Sequence, residues 1–450
     1  MKTLLESATR RALDYIASCD ARPVAPDRAA VERAAQLGGP LPQHPTAAAE
    51  VLRLLDELGS PATVVNASGR YFGFVNGGTL PAALAANWLA GAWDQNAGLQ
   101  VSSPVAARLE DVALDWIRDL LKLPGDAAGG FVTGATMANF CALAAARHAL
   151  LARHGWDVEA DGLSGAPALT VVVGDEVHVS LLKALALLGL GRERVRRVAV
   201  DGQGRMRADA LPPLSASTIL CLQAGNVNSG AFDPAAEIIP AARAAGAWVH
   251  VDGAFGLWTA TAPGRAHLVA GFEAADSWAT DAHKWLNVPY DSGLVLCREA
   301  RHLHAAMVQN AAYLPEDAGR DPSHFVPEMS RRARGVEIWA ALRSLGREGV
   351  AELIERTCTH ARRFAEGLAE AGCEILNEVV INQVLVCFDD DDTTRRVIDA
   401  IQRDGTCWCG ATVWQGRTAM RVSVSSWATT EADVERSLEA MRRAYRRCAR

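Results

Sequence analysis

Apolar and polar positions change rhythm along this 450-residue chain, and each rhythm predicts a different kind of element. Up to about residue 65 the apolar side chains recur at helical spacing, in TLLESATRRALDYI and again in AAAEVLRLLDELG, where positions three and four apart share a face. Pro23, Pro26, Pro40, Pro42 and Pro45 mark an irregular joint between the two stretches. Two such helices cannot enclose a core of their own, so they are expected to pack on the main domain or on a partner subunit.

From about residue 100 to 300 the pattern shifts to short β-branched runs alternating with helical segments. The predicted strands are Gly130–Thr133, Leu169–Val173, Val195–Val200, Thr218–Gln223, Trp248–Asp252, Ser277–Thr280 and Gly293–Cys297. Helices are predicted over Met137–His154, Ser180–Leu190 and Ala235–Ala245. Near-continuous apolar strands alternating with helices predict an α/β fold with a mostly parallel sheet covered on both faces. Ligands of such sheets sit beyond the carboxyl ends of the strands. A helical connection, Arg331 to Gly346, leads into a smaller α+β region. There EILN, NQVLVCF and AMRVSVSS are strand-like and EADVERSLEAMRRAYRR is an amphipathic helix. The expected division is 1–70 as a helical segment, 71–330 as a large α/β domain and 331–450 as a small α+β domain. The acidic run Asp389–Asp392 is expected to be a solvated loop, not a metal site.

Composition narrows the class. Half the residues are hydrophobic and the net charge is −7, with no basic run, so no nucleic-acid partner is expected. Ten cysteines lie scattered, and the lone C-x-C of Cys407 and Cys409 has no second pair at zinc spacing. Reduced thiols in a cytoplasmic protein are the expectation. The first turns mix acidic and basic residues without an apolar core, so no signal peptide is expected. The uncharged stretch Tyr71–Trp93 contains Asn76, Gly77, Gly78, Pro81 and Asn87, and is expected to be a buried loop entering a helix, not a membrane span.

Candidate chemistry gathers in the α/β region. The chain has only four lysines, Lys2, Lys122, Lys183 and Lys284, and arginine cannot lose its proton to act as an amine nucleophile. Lys284 stands between His283 and Trp285 in an apolar setting, where a desolvated amine can form a Schiff base. In FVTGATMANF the turn Gly134-Ala135-Thr136 runs from a strand into a helix, offering backbone N–H groups to an anion, although a helix cap explains it equally well. His178 follows a strand and could stack on a flat ligand, or be an ordinary core histidine. In WVHVDGAFG, Asp252 ends a strand with Gly253 and Ala254 leaving room beside it, and a buried carboxylate there requires a partner. An anion site, a ring stack, a carboxylate for a cationic ring nitrogen and a Schiff-base amine together are what pyridoxal phosphate needs.

These residues sit within motifs, YFGFVNGG, SSPVAARLE, TGATMAN, DEVHVSLLKALALLG, GNVNSGAFDP, HVDGAFG and ADSWATDAHKWLNVPYD, that resemble the group II pyridoxal-phosphate-dependent decarboxylases, the glutamate and aromatic amino-acid decarboxylases. The resemblance spans about Tyr71 to Trp427. It implies fold type I with a seven-stranded sheet, a cytoplasmic homodimer with its active site at the interface, and decarboxylation of an L-amino acid. By position, Lys284 would hold the internal aldimine through which a quinonoid forms, Asp252 would keep the pyridine nitrogen protonated and His178 would stack on the ring. Gly134, Ala135 and Thr136 would bind phosphate, helped by Asp281 and His283, with Ala254 beside the cofactor. Tyr71, Phe72, Phe74, Trp88 and Trp93 favour an aromatic or bulky substrate, or simply pack a core. Two departures stand out. Gly225-Asn226-Val227 replaces a frequent G-T-T, and the loop Leu314–Met329 lacks the tyrosine by which relatives protonate Cα, leaving His324 or Tyr313 as substitutes. Such a loss is compatible with an aldehyde synthase or an aminotransferase. A carboxylate-gripping Arg421 would favour transamination, and a catalytically silent homologue is the remaining alternative.

Overall fold

The computed structural model describes residues 1–308 and 319–449. The chain divides into two compact units. One comprises Thr79–Thr359 and Asn377–Gln383; the other comprises Met1–Gly78, His360–Leu376 and Val384–Arg450.

The larger unit is built on seven strands: β1 (Ala128–Val132), β2 (Thr170–Gly174), β3 (Arg196–Val198), β4 (Thr218–Gln223), β5 (Trp248–Asp252), β6 (Ser277–Asp281) and β7 (Gly293–Cys297). Their order across the sheet is β1-β7-β6-β5-β4-β2-β3. Every neighbouring pair is parallel except those of β7, which runs antiparallel to both β1 and β6. The carboxyl ends of β1, β2, β3, β4, β5 and β6 therefore share one edge with the start of β7. Register fixes what meets there: Val132 and Asp281 both pair with Gly293, while Gln223 pairs with Asp252 and Asp252 with Ala279.

The helix Ala135–Ala152 crosses this sheet, and its alanine-rich face lets the backbone lie close to the strands. Ala142, Ala145, Leu143 and Leu150 pack with Val132, Val173, Ile219, Ala279 and Val295 in one buried cluster. Fully burying each leucine contributes about 2 kcal/mol. The helix Gly335–Glu370 is broken at Gly346, whose left-handed φ of 60° suits glycine.

In the smaller unit, β8 (Glu374–Ile375), β9 (Gln383–Cys387), β10 (Gly410–Trp414) and β11 (Arg417–Ser423) form a sheet ordered β10-β11-β9-β8. Strand β10 was not expected; GATVW is short and largely solvent-facing, so its apolar signal is weak. Tyr71 stacks on Trp408 and Phe72 meets Phe364 edge-on, so these two aromatics pack the core of their own unit. The acidic run is corrected too. Asp390 caps the helix Asp391–Asp404, and Asp391 accepts from the backbone N–H and hydroxyl of Thr418. The run therefore opens a helix instead of forming a loop, while Asp389, Asp390 and Asp392 stay exposed to solvent as expected. Among the described residues no helix is long and apolar enough to cross a membrane, and no cluster of His, Cys, Asp and Glu could hold a metal ion.

Candidate active site

The edge where six strands end collects most of the residues singled out by their chemistry. One cleft is lined by His178, Gln223, Gly225, Val227, Asp252, Ala254, Phe255 and Lys284. Beside it, Gly134 opens the helix Ala135–Ala152 next to Asp281 and His283: a Cβ at Gly134 would lie 3.1 Å from His283 Cε1 and 3.5 Å from Asp281 Oδ1.

Lys284 Nζ forms an ion pair with Asp281 Oδ2 at 2.9 Å, which ties the two clusters together. The carboxylate is 2 % exposed and the lysine side chain 20 %. Asp281 Oδ1 has no hydrogen-bond partner although buried, an expensive arrangement for a charged oxygen. The loop carrying the lysine is fastened on both sides. The Trp258 indole donates to the Asp281 carbonyl at 3.0 Å, and the fully buried Trp285 donates to Thr357 Oγ1 at 2.9 Å.

His283 Nδ1 accepts the Ser292 backbone N–H at 2.9 Å. Burial lowers its pKa despite the opposing pull of Asp281, so the ring is neutral and carries its proton on Nε2, which faces Asp281 at 3.7 Å. The tautomer of His178 follows the same logic. It caps the helix Val179–Leu187, and its Nδ1 accepts from the Ser180 hydroxyl at 2.7 Å and backbone N–H at 3.3 Å. A neutral His178 therefore offers Nε2–H.

Asp252 accepts from Asn139 Nδ2 at 3.0 Å and from the Ala254 backbone N–H at 3.2 Å. Behind Asn139 lie His250 and Ser277, neither of which the sequence reading singled out. Asn139 stood inside TGATMAN and His250 inside HVDGAFG, but nothing in either string announces that they touch. Gln223 and Phe255 were also missed. Gly293 is demanded by geometry, because a Cβ there would lie 2.5 Å from Gly134 Cα and 2.8 Å from Asp281 Oδ1. Asn226, part of the departure from G-T-T, accepts the backbone N–H groups of Asn228 and Ser229 and so builds a turn. Gly225 (φ 94°) is the close approach, since a Cβ would meet Gly256 Cα at 2.9 Å.

Of the other expected contributors, neither Arg421 nor His324 is among the residues lining the cleft. Arg421 lies in β11 of the other unit, where burial pushes its guanidinium down to about 10. Tyr313 and the loop start, within residues 309–318, lie outside the described residues. His324 is in the short helix Pro322–Phe325 with its ring 5.3 Å from that of His304.

A mostly parallel seven-stranded sheet with one antiparallel strand, bearing this lysine and these strand-end groups, defines a fold type I pyridoxal-phosphate enzyme. The pattern described as "Pyridoxal-dependent decarboxylase conserved domain" matches residues 40–390. The chain is similar to tryptophan decarboxylase 1 of Oryza sativa subsp. japonica, at 27% identity over 98% of this chain and 93% of the relative. It is likewise similar to L-2,4-diaminobutyrate decarboxylase of Rhizobium meliloti (strain 1021), at 31% identity over 80% of this chain and 74% of the relative. Among solved structures, Oryza sativa TDC with PLP and tryptamine has the same fold, with a TM-score of 0.91, 24% identity and coverage of 99% of this chain and 97% of that one. The chain belongs to the pyridoxal-dependent decarboxylase family, and it is an amino-acid decarboxylase, a carboxy-lyase that uses pyridoxal 5'-phosphate.

The residues present fit that cofactor. A helix N-terminus with side-chain-free Gly134 suits a phosphate. The Asp252 carboxylate, the Lys284 amine and the ring of His178 line the adjoining cleft.

Proposed function

We propose that this enzyme removes the α-carboxylate of an L-aromatic amino acid, with Lys284, Asp252 and His178 as its catalytic residues. The convergence of those three side chains on one cleft beside the Gly134 turn is the observation that carries the roles. The aromatic preference rests on likeness to the rice tryptophan decarboxylase along nearly the whole chain and on the apolar walls that Val227 and Phe255 give the cleft.

Pyridoxal phosphate, when bound, supplies the electron sink for the pair released as carbon dioxide leaves. Everything else falls to the chain. Lys284 provides the amine that the cofactor aldehyde joins. An amine attacks only as the free base, and Asp281 is the acceptor within 2.9 Å able to take its proton. Gly134, Ala135 and Thr136 hold the phosphate at the helix N-terminus, with Nε2–H of His283 as a further donor and the carboxylate of Asp281 beside it. Asp252 pairs with the cationic ring nitrogen, Ala254 leaves the ring room, and His178 covers its face. With the cofactor bound, the side chains lining the cleft would orient the substrate for loss of its carboxylate.

The assembly in this reading is a homodimer. Leu5, Leu13 and Ile16 are exposed on a helix, Lys2–Ser18, that buries none of its residues, and Trp88, Leu89 and Trp93 are exposed on the helix Pro81–Trp93. A second copy would cover such surfaces. Ten cysteines, none of them in a disulfide among the described residues, support a reducing, cytoplasmic setting.

A panel of L-amino acids with product analysis for amine, aldehyde, keto acid and carbon dioxide tests the reading. Amine plus carbon dioxide from tryptophan, tyrosine or phenylalanine is expected. Keto acid without carbon dioxide would replace it with an aminotransferase. The loop Leu314–Met329 contains no tyrosine, and this favours an aldehyde synthase as the second reading; aldehyde with carbon dioxide and consumption of oxygen would identify it. Absence of turnover with every amino acid would leave a catalytically silent homologue.

A further inference from the structure

Behind Asp252 runs a chain of buried polar side chains that the reaction as described does not use. Asn139, His250 and Ser277 are each fully buried, and Trp248 nearly so. The Trp248 indole N–H donates to Ser277 Oγ at 2.9 Å, Ser277 Oγ lies 3.0 Å from His250 Nδ1, His250 Nε2 lies 2.9 Å from Asn139 Oδ1, and Asn139 Nδ2 donates to Asp252 Oδ2 at 3.0 Å.

The two ends set the direction of every proton between them. An ionised carboxylate only accepts, so Asn139 must turn its NH2 to Asp252 and its carbonyl oxygen to His250. His250 must then carry its proton on Nε2. Burial pushes the pKa of that ring down to about 4, so it is neutral and its Nδ1 is an acceptor. Ser277 accepts from an indole that can only donate, and therefore gives its own proton to Nδ1. The chain is thus one-way, each member donating towards Asp252.

We propose that Asn139, His250 and Ser277 are positioning residues that act through Asp252, holding its carboxylate as a fixed acceptor turned to the ring nitrogen of the cofactor. This rests on the reading of Asp252 given above. The fold supplies the parts economically. His250 and Asp252 are two apart on β5 and so share the face covered by the helix Ala135–Ala152, and Ser277 is the register partner of His250 on β6. Asn139 lies one turn beyond the Gly134 turn. One helix therefore serves the anion site with its N-terminus and the ring-nitrogen site with its second turn.

The chain predicts an asymmetry between two substitutions at one position. In His250→Gln the amide can accept from Ser277 and donate to Asn139, so the direction survives. In His250→Phe it is lost, and Asn139 is free to turn its oxygen on Asp252. The readouts are the cofactor dissociation constant, from quenching of tryptophan fluorescence, and the pH midpoint of the bound cofactor's absorption band. His250→Phe is expected to weaken cofactor binding 10- to 100-fold, as loss of groups that orient a ligand-bearing side chain does, and to shift the spectral midpoint. His250→Gln should stay within about threefold of wild type, and Asn139→Asp, which sets a carboxylate against Asp252, should bind more weakly than either. Ser277→Ala, the mildest change, is expected to shift the midpoint in the same direction as His250→Phe and reports the same effect if the phenylalanine variant fails to fold. Folded variants all showing the wild-type midpoint and affinity would overturn the proposal, as would equal losses in His250→Phe and His250→Gln. Wild-type protein that takes up no pyridoxal phosphate would instead overturn the assignment of Asp252 itself.

Discussion

Replacing Lys284 by methionine, which keeps the length of the side chain and removes its charge, should destabilise the cofactor-stripped protein as well as silence it. The reason is Asp281. Its carboxylate is 2 % exposed, one of its oxygens has no partner, and the other faces Lys284 Nζ at 2.9 Å. At that separation and an effective dielectric of about 20, the gross attraction is about 6 kcal/mol. Removing one member of a buried pair costs about 3–5 kcal/mol because the other is left charged and alone. Lys284 is 20 % exposed and His283 Nε2 remains 3.7 Å away, so the lower end, about 3 kcal/mol, is expected. Asp281→Asn should cost only about 1 kcal/mol, since a long lysine can turn its ammonium to water. The double variant should cost no more than Asp281→Asn alone, a coupling of about 3 kcal/mol. Urea unfolding followed by fluorescence of Trp258, Trp278 and Trp285, all fully buried in the larger unit, measures each corner of the cycle. Losses that add within about 0.5 kcal/mol would refute the argument. So would a Lys284→Met protein as stable as wild type.

Gly293→Ala puts a Cβ 2.5 Å from Gly134 Cα, so the Gly134 turn must move; cofactor titration should show at least about tenfold weaker binding, the equivalent of 1.4 kcal/mol, and unchanged affinity would mean the turn does not hold phosphate. The pKa of His250 falls from 6.5 to about 4 on folding, so its contribution is complete above pH 6.5 and is lost as pH falls towards 4. That loss is about 3 kcal/mol, and the acid limb of a stability–pH curve should flatten in His250→Gln. Leu5→Glu with Leu13→Glu charges the exposed apolar side of the first helix and should raise the dimer dissociation constant at least about tenfold in sedimentation, a loss of 1.4 kcal/mol or more; an unaltered sedimentation profile would remove that helix from the interface.

The sequence by itself determined the elements of the sheet and the chemistry at its edge. Strands buried on both faces must be apolar nearly throughout, so Thr218–Gln223, Trp248–Asp252 and Gly293–Cys297 stood out with the bounds they have in the structure. Lys284 and Asp252 stood out because a lysine-poor chain set one lysine among aromatics and because a strand ended in a carboxylate. Short or solvent-facing elements such as Gly410–Trp414 carry too few apolar positions to be read this way. Tertiary structure alone decided who meets whom. That β7 runs against its neighbours brings Gly293 between Gly134 and Asp281, and that His250 lies opposite Ser277 and beneath Asn139 makes a directed chain behind Asp252. Contacts between residues more than a hundred positions apart, such as Asn139 with Asp252, follow from strand order and register. Those are settled by the packing of the whole sheet, so no local string of residues can record them.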